Sequence, residues 1–130
     1  GGEFHAVESF QEIEPNIVTT GEIIGTHSGS PIAEQALIIR SDKGISIITG
    51  CAHPGIIRIV EQVRNNYPSD ALYAVLGGFH LMNLEKREAL KTLNDLKTFG
   101  FKQIGATHCS GGDAYAASSL NLHVGAEIEL

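Results

Sequence analysis

Two spacings of apolar residues alternate along this chain. Ala36-Leu37-Ile38-Ile39-Arg40 and Ile45-Ser46-Ile47-Ile48-Thr49 are short runs separated by Ser41-Asp42-Lys43-Gly44. That arrangement predicts a strand, a hairpin turn and a returning strand. After residue 54 the spacing changes. Ile56, Ile59 with Val60, Val63 and Tyr67 recur every three to four positions, with Arg58, Glu61, Gln62 and Arg64 between them. The pattern predicts an amphipathic helix over 54–66, with Pro54 at its first position and Pro68-Ser69-Asp70 ending it. Leu72 to Leu76 reads as a buried strand. Leu90, Leu93, Leu96 and Phe99 then form the inner stripe of a helix over about 85–99, with Asn83 as N-cap and Gly100 just past the end. Phe101 to Ala106 is the next strand, Ala114 to Leu120 a short helix, and Val124 to Leu130 a last strand with Glu127 and Glu129 on one face. Ahead of the hairpin the pattern is weaker. Residues 1–12 read as a terminal arm, and 13–24 as one or two short strands broken by Pro15-Asn16 and Gly21. Gly25 to Pro31 reads as a loop by its small-residue composition.

The three strand-to-helix connections share one grammar. Thr49-Gly50-Cys51-Ala52-His53-Pro54-Gly55 follows the hairpin, Gly77-Gly78-Phe79 leads into His80, and Gly105-Ala106-Thr107 leads into His108-Cys109. Successive histidines stand about one strand–helix unit apart. If the three strands are neighbours of the same polarity, His53, His80 and His108 meet at one edge of the sheet. That edge, outside the carboxyl ends of the strands, is where open α/β sheets place their ligands.

At 130 residues the expectation is a single domain spanning 1–130. Hydrophobic content of 42% and charged content of 18% are those of a folded chain. The net charge of −6 and the lack of any Lys/Arg cluster exclude a nucleic-acid footprint. The apolar runs are too short to span a membrane. The start, Gly1-Gly2-Glu3, has neither the pattern of a signal peptide nor an initiator Met, and fits processing, trimming or origin in a longer product. The two cysteines, Cys51 and Cys109, both lie near histidines, which suits thiol or metal chemistry better than a structural disulfide. A cytoplasmic location is expected.

Cys51, His53, His80 and His108 form the one cluster with metal-ligand chemistry. Thiolate and imidazole are good zinc ligands, and a zinc ion with an open position activates water and polarises a carbonyl or phosphoryl group. A single histidine at a strand end is ordinarily a hydrogen-bonded structural residue. Three in successive units, one of them two residues after a cysteine, favour a functional cluster. Cys51 beside a histidine also permits nucleophilic chemistry. Cys109 directly follows His108, so in an extended segment its side chain faces away. His27, in the small-residue loop, is within reach of the cluster, whereas His5 and His123 have weak contexts. Ser110-Gly111-Gly112 opens a helix and offers backbone N–H groups to an anion beside His108, with an ordinary glycine turn as the equal alternative. The substrate class this suggests is a small anion bearing phosphate or carboxylate.

Taken together, Ile47 to Ile56, Leu76-Gly77-Gly78-Phe79-His80-Leu81 and Thr107-His108-Cys109-Ser110-Gly111 resemble the C-terminal half of metallo-β-lactamase superfamily proteins. The nearest branch is the one similar to the dihydropterin–ribofuranosylaminobenzene phosphate synthase of methanopterin synthesis. The resemblance runs from about Ile13 to the end. It implies an α/β (α+β) fold, one αβ half of an αββα sandwich, with a mixed sheet and about three helices. It sets Cys51 where the superfamily usually has a metal-bridging Asp and His108 at the last histidine ligand. His53 and His80 each become a ligand or a catalytic or orienting group, with His53 also counted among the metal-binding residues. Glu34, beside Gln35, edges the site as a substrate contact with Ser110, Gly111 and Gly112. The motif His-x-His-x-Asp-His is absent from the 130 residues. The resemblance therefore implies zinc or another divalent transition metal in an incomplete site. The activity belongs to a full-length parent and not to this chain alone. One αβ half also leaves a sheet face apolar and uncovered, more than soluble monomers tolerate. A partner is expected, either an N-terminal half of the same fold or a second copy in a homodimer.

Two functions follow. The chain is the C-terminal portion of a metal-dependent hydrolase or pterin-phosphate synthase-like enzyme and supplies part of a zinc site. Alternatively, it is a non-catalytic half-domain that dimerises as a binding or assembly module. A metal-bearing assembly favours the first and a metal-free dimer the second.

Overall fold

The hairpin predicted over 36–49 is the seam of the molecule. A computed structural model describes residues 2–130. It contains β1 (Gln11–Glu14), β2 (Ile17–Thr19), β3 (Ile23–His27), β4 (Ser30–Glu34), β5 (Ala36–Ser41), β6 (Gly44–Thr49), α1 (Ile56–Asn66), β7 (Leu72–Gly78), α2 (Lys86–Thr98), β8 (Gln103–Thr107), a 3-10 turn (His108–Ser110) and α3 (Gly112–Ala117). Six strands form one sheet in the order β1-β2-β5-β6-β7-β8, and β3 and β4 pair separately. The pairs from β1 to β6 are antiparallel, and β6/β7 and β7/β8 are parallel. The seam is thus where an antiparallel half joins a parallel half, each parallel step being crossed by a helix, as parallel neighbours require. The mixed sheet and three helices agree with the expected fold class.

One row of residues crosses the sheet from β2 to β8. Val18 faces Ile38, Ile38 faces Ile47, Ile47 faces Val75, and Val75 faces Ile104. All five are buried, and Ile56, Ile59, Val60 and Val63 of α1 and Ala89, Leu93 and Leu96 of α2 join them in one core. The next row, on the other face, is Thr19, Leu37, Ile48, Leu76 and Gly105. Leu37 and Ile48 are only half-buried, whereas Leu76 and Gly105 are buried. Leu122 lies over that end of the row: a Cβ on Gly105 would stand 2.7 Å from its Cδ1.

Several boundaries differ from expectation, each for a local reason. Residues 25–31, expected as a loop, belong to the β3–β4 hairpin, whose turn is only Ser28-Gly29 with φ of 51° and 78°. Two left-handed residues in a two-residue turn match the twist of the flanking strands. Helix α1 begins at Ile56 rather than Pro54, because Gly55 at φ 97° forms the boundary and its N–H donates to Ala52 O at 2.9 Å in a preceding turn. Helix α2 is preceded by Glu85, not Asn83, since Leu84 N–H closes a separate turn onto Leu81 O at 3.0 Å. Gly100 lies just beyond that helix at φ 90°, as expected.

Helix α3 is shorter than expected, and 124–130 is no strand. Both departures have one cause. Ser118 Oγ accepts from Ala106 N–H at 2.9 Å, Ser119 Oγ accepts from Ile104 N–H at 2.7 Å, and Ile104 O accepts the N–H groups of Ser119 and Leu120. The outer edge of β8 is therefore saturated by the end of α3, and a ninth strand has nothing to pair with. Blunting an edge in this way also removes a template for aggregation. The tail runs on to Lys43, whose Nζ lies 3.1 Å from Glu129 Oε1. The terminal arm is held as well: Phe10 packs on Tyr67 with ring centroids 6.5 Å apart.

The serine caps predict a measurable cost. Ser118→Ala and Ser119→Ala each leave one strand amide without its acceptor and lower unfolding stability by about 1 kcal/mol or more. Urea denaturation reads the loss, and faster hydrogen exchange at the Ala106 and Ile104 amides assigns it.

Candidate metal centre

The carboxyl ends of the three parallel strands are level. Thr49 pairs with Gly77, and Gly78 with Thr107. Their close approach depends on glycine. A Cβ on Gly77 would lie 2.3 Å from Thr49 O, and one on Gly78 would lie 2.3 Å from Gly50 O and 2.8 Å from Cys109 Sγ. Thr49 Oγ1 donates to Gly78 O at 3.0 Å, and Gly78 N–H donates to Gly50 O at 2.9 Å. Just past each strand the chain turns through a left-handed residue that is not glycine: Ala52 at φ 59°, His80 at 52° and His108 at 52°. Each such turn costs about 1–2 kcal/mol and re-aims the chain at the sheet edge.

Three imidazoles meet there. The ring centroids of His53 and His80 are 4.3 Å apart, those of His27 and His53 4.5 Å, and those of His27 and His80 6.2 Å. One nitrogen from each lies within 4.8 Å of the other two. His53 is clamped by Glu34 of β4. Its backbone N–H donates to Oε2 at 2.7 Å, and its Nδ1 lies 2.6 Å from Oε1. In the neutral ring, the tautomer that donates Nδ1–H to this carboxylate leaves the Nε2 lone pair free. A carboxylate behind a histidine is the usual way of orienting a metal ligand. His80 offers a second sign: its Nδ1 is buried with no hydrogen-bond partner among the described residues. Burial above all, then the imidazoles of His53 and His27, hold the His80 pKa below the ordinary imidazole value, with Glu34 pulling weakly the other way. A neutral imidazole with an orphaned nitrogen beside two others fits a divalent transition metal.

The expected residues separate into two groups. His53 and His80 meet as expected, and His27 joins them. Its place was obscured because Gly25 to Pro31 resembles a loop by composition; a Ser-Gly turn read as a hairpin would have set His27 at its end, opposite Ser30. His108 instead groups with Cys51 and Cys109, while Cys51 also lies within 4.8 Å of Glu34 and His53. Cys109 does not face away from the site, because residues 108–110 form a 3-10 turn rather than an extended segment. Burial foremost, then the Cys109 thiol, hold the Cys51 thiol above its usual pKa.

Ser110 is buried. Its hydroxyl accepts from Phe79 N–H at 2.9 Å and donates to Thr107 O at 2.7 Å, so it fixes the turn. Gly111 and Gly112, with Thr107, His108 and Tyr115, line a hollow of about 270 Å³. A larger hollow of about 500 Å³, at the opposite ends of β6 and β7, is lined by Arg40, Asp42, Lys43 and Asp70 among others and contains no imidazole or thiol.

Known proteins align with this picture. Over 78 residues, 60% of the chain, it is 38% identical to the 7,8-dihydropterin-6-methyl-4-(beta-D-ribofuranosyl)-aminobenzene-5'-phosphate synthase of Methanocaldococcus jannaschii. Over 80 residues, 61% of the chain, it is 38% identical to the uncharacterized protein MJ0448 of the same organism. The chain spans only 26% and 29% of those two proteins. The crystal structure of Tm1679, a metal-dependent hydrolase of the beta-lactamase superfamily, matches with a TM-score of 0.71 and 26% identity. That match covers 87% of this chain and 50% of the other. No family model matches the chain. The resemblance read from the strand-end motifs is borne out by the synthase in sequence and by the hydrolase in fold. Among the described residues no helix is long and apolar enough to cross a membrane.

Two outcomes follow from the site geometry. A Cβ on Gly25 would stand 2.5 Å from the backbone of His53 and Pro54. Gly25→Val therefore pushes the hairpin off the His53 loop and carries His27 with it, which NMR reads as large shifts of the His27 and His53 ring resonances. The second concerns pH. Between the lowered folded pKa of His80 and the ordinary value of 6.5, the unfolded chain binds more protons than the folded one, so stability rises with pH there. Its contribution is full above 6.5 and is lost as pH falls through the folded value. The metal-free chain accordingly unfolds at lower urea at about pH 5 than at about pH 7.5, and His80→Asn narrows the gap.

Proposed function

We propose that this chain supplies the metal-binding wall of a metal-dependent enzyme, hydrolase or pterin-phosphate synthase-like, with zinc or another divalent transition ion held by His53, His80 and His27. The observation that carries this reading is the buried, unpartnered His80 Nδ1 beside His53, which Glu34 presents with its other nitrogen free. A bound ion of this kind supplies Lewis-acid polarisation and a water of lowered pKa. The chain's own residues do the rest. His53, His80 and His27 bind, Glu34 orients, and the hollow lined by His108, Gly111, Gly112 and Tyr115 receives a small anionic substrate. The kinship with a phosphate synthase and a metal-dependent hydrolase supports that substrate class and that chemistry.

The activity belongs to an assembly. The half-buried Leu37 and Ile48 line an open hollow of about 430 Å³ with Val7 and Ile13. The solved hydrolase has as much chain again outside the matched half. We assign to this face a second αβ layer of the same fold, on a separate chain or segment.

Isothermal titration of the metal-free protein with zinc tests the site. Glu34→Gln weakens binding by about 10- to 100-fold, and His53→Ala with His80→Ala removes imidazole-bound metal. Unchanged affinity in the double variant would sink the reading. Native mass spectrometry tests the cover. Binding of a second αβ layer supports it, and a metal-free homodimer would favour an assembly module instead.

A further inference from the structure

Residues 121–130 lie beyond the serine caps, and burial alternates along their second half. Ala126, Ile128 and Leu130 are half-buried, whereas Glu127 and Glu129 are exposed. Both ends of the segment are fixed on the sheet. Leu122 stands over Gly105 beside Leu76, on the face that no helix covers. Glu129 meets Lys43 in the β5–β6 turn: its Oε1 lies 3.1 Å from Lys43 Nζ, and its carbonyl accepts from that Nζ at 3.2 Å. Lys43 Nζ in turn stands over the Tyr73 ring, 5.4 Å from its centroid. The path between these ends passes the row Ser46, Ala74 and Gln103. That row points away from the helices, because its neighbours Ile47, Val75 and Ile104 point into the helix-covered core.

The segment fits this row poorly. Ser46 and Ala74 are fully buried, yet Ser46 Oγ and Gln103 Oε1 have no hydrogen-bond partner among the described residues. The inward side chains of Ala126, Ile128 and Leu130 have none to give. A buried polar atom left unpaired costs its full desolvation. The backbone of the segment adds no ladder: among the described residues its backbone–backbone hydrogen bond is internal, from Ala126 N–H to His123 O at 3.0 Å. The Lys43–Glu129 pair is exposed at Glu129 and is screened by salt. Lifting the segment therefore breaks no strand pairing.

We propose that residues 121–130 are an autoinhibitory strap: they close the parallel half of the open sheet face, and the second layer seats only when they lift. This rests on the second-layer reading above and adds a gate to it. The open strands β2, β5 and β6 are about 10 Å across, whereas a sheet of ordinary size is about 15–25 Å wide. A second layer on the open end therefore overlaps the path of the strap. Polar side chains of such a layer can give Ser46 Oγ and Gln103 Oε1 the partners that the strap withholds. Until then the strap keeps apolar surface from solvent.

The test is to lift the strap by substitution. Leu122→Asp sets a carboxylate against Leu76. In backbone amide relaxation, residues 121–130 should lose order while the helices and strands keep theirs. Fluorescence of anilinonaphthalene sulfonate, a dye for exposed apolar surface, should rise several-fold over the wild type. Ile128→Asp with Glu129→Lys attacks the other anchor and should do the same. It replaces Leu122→Asp if circular dichroism shows that variant unfolded. Native mass spectrometry then uses a second copy of the chain as the layer, and the lifted variants should form dimer at concentrations where the wild type is monomeric. Folded variants whose strap stays ordered, or lifts without brighter dye, would overturn the proposal. A wild-type dimer that keeps the Leu122–Leu76 contact in its nuclear Overhauser spectrum would also overturn it, while leaving the second-layer reading intact. Lifted variants with bright dye and no dimer would sink a second copy as the layer and reduce the strap to a cover without a gate.

Discussion

Parallel, in-register pairing of β6, β7 and β8 is the constraint on which the rest depends. Parallel neighbours oblige every connection to cross over through a helix, so all three strands release the chain at the same edge. The level pairs Thr49–Gly77 and Gly78–Thr107 bring those three exits together. The helices that fill the crossovers also cover the row from Val18 to Ile104. Core formation and convergence of the histidines are thus one event. The left-handed turns at Ala52, His80 and His108 are unfavourable on their own and persist because packing over-determines them. Phe79 beside His80 is buried, and its N–H is held by Ser110 Oγ, while Met82 N–H donates to Cys109 O at 3.1 Å.

The β3–β4 hairpin is the second body of the site, and it is outside the main sheet. It touches the strand ends where Gly25 passes over the His53–Pro54 peptide, and Arg58 of α1 donates to Ile24 O at 2.8 Å. Through these contacts a small appendage delivers both a candidate ligand, His27, and the orienting carboxylate, Glu34. Three imidazoles this close repel one another when protonated; burial foremost, and then that repulsion, depresses the His80 pKa. A protein without a use for the cluster gains nothing from holding it together, which is why the orphaned His80 nitrogen weighs more than the hydrogen-bonded His53.

Much of this was legible in the sequence because the governing patterns are short-range. Runs of period two and of three to four placed the 36–49 hairpin, both long helices and the three strand ends with their histidines. What escaped depended on contacts between distant segments. The loop-like composition of residues 25–31 conceals a two-residue turn, and only the contact of Gly25 with residue 53 brings that hairpin to the site. The alternation of Val124 to Leu130 suits a strand, but Ser118 and Ser119 had already occupied the edge it needed. Cys109 was assigned outward by strand geometry, whereas a single φ of 52° at His108 turns it inward. Each miss is a case of tertiary context deciding between two locally acceptable conformations.

The two faces of the sheet share one backbone and differ in what lies over them. On one face the row through Ile38 and Ile47 is sealed by helices. On the other, Leu122 seals only the Leu76–Gly105 end, and the Leu37–Ile48 end stays open. That open end is bordered by Gln35 and Gly50, the immediate neighbours of Glu34 and Cys51. A layer seated there would cover apolar surface and at the same stroke bring its own side chains against the edge where the imidazoles meet. On the proposed reading, burial of this face and completion of the site would be coupled: the hydrophobic gain of docking would stabilise the same arrangement that brings a second layer's side chains to the imidazoles.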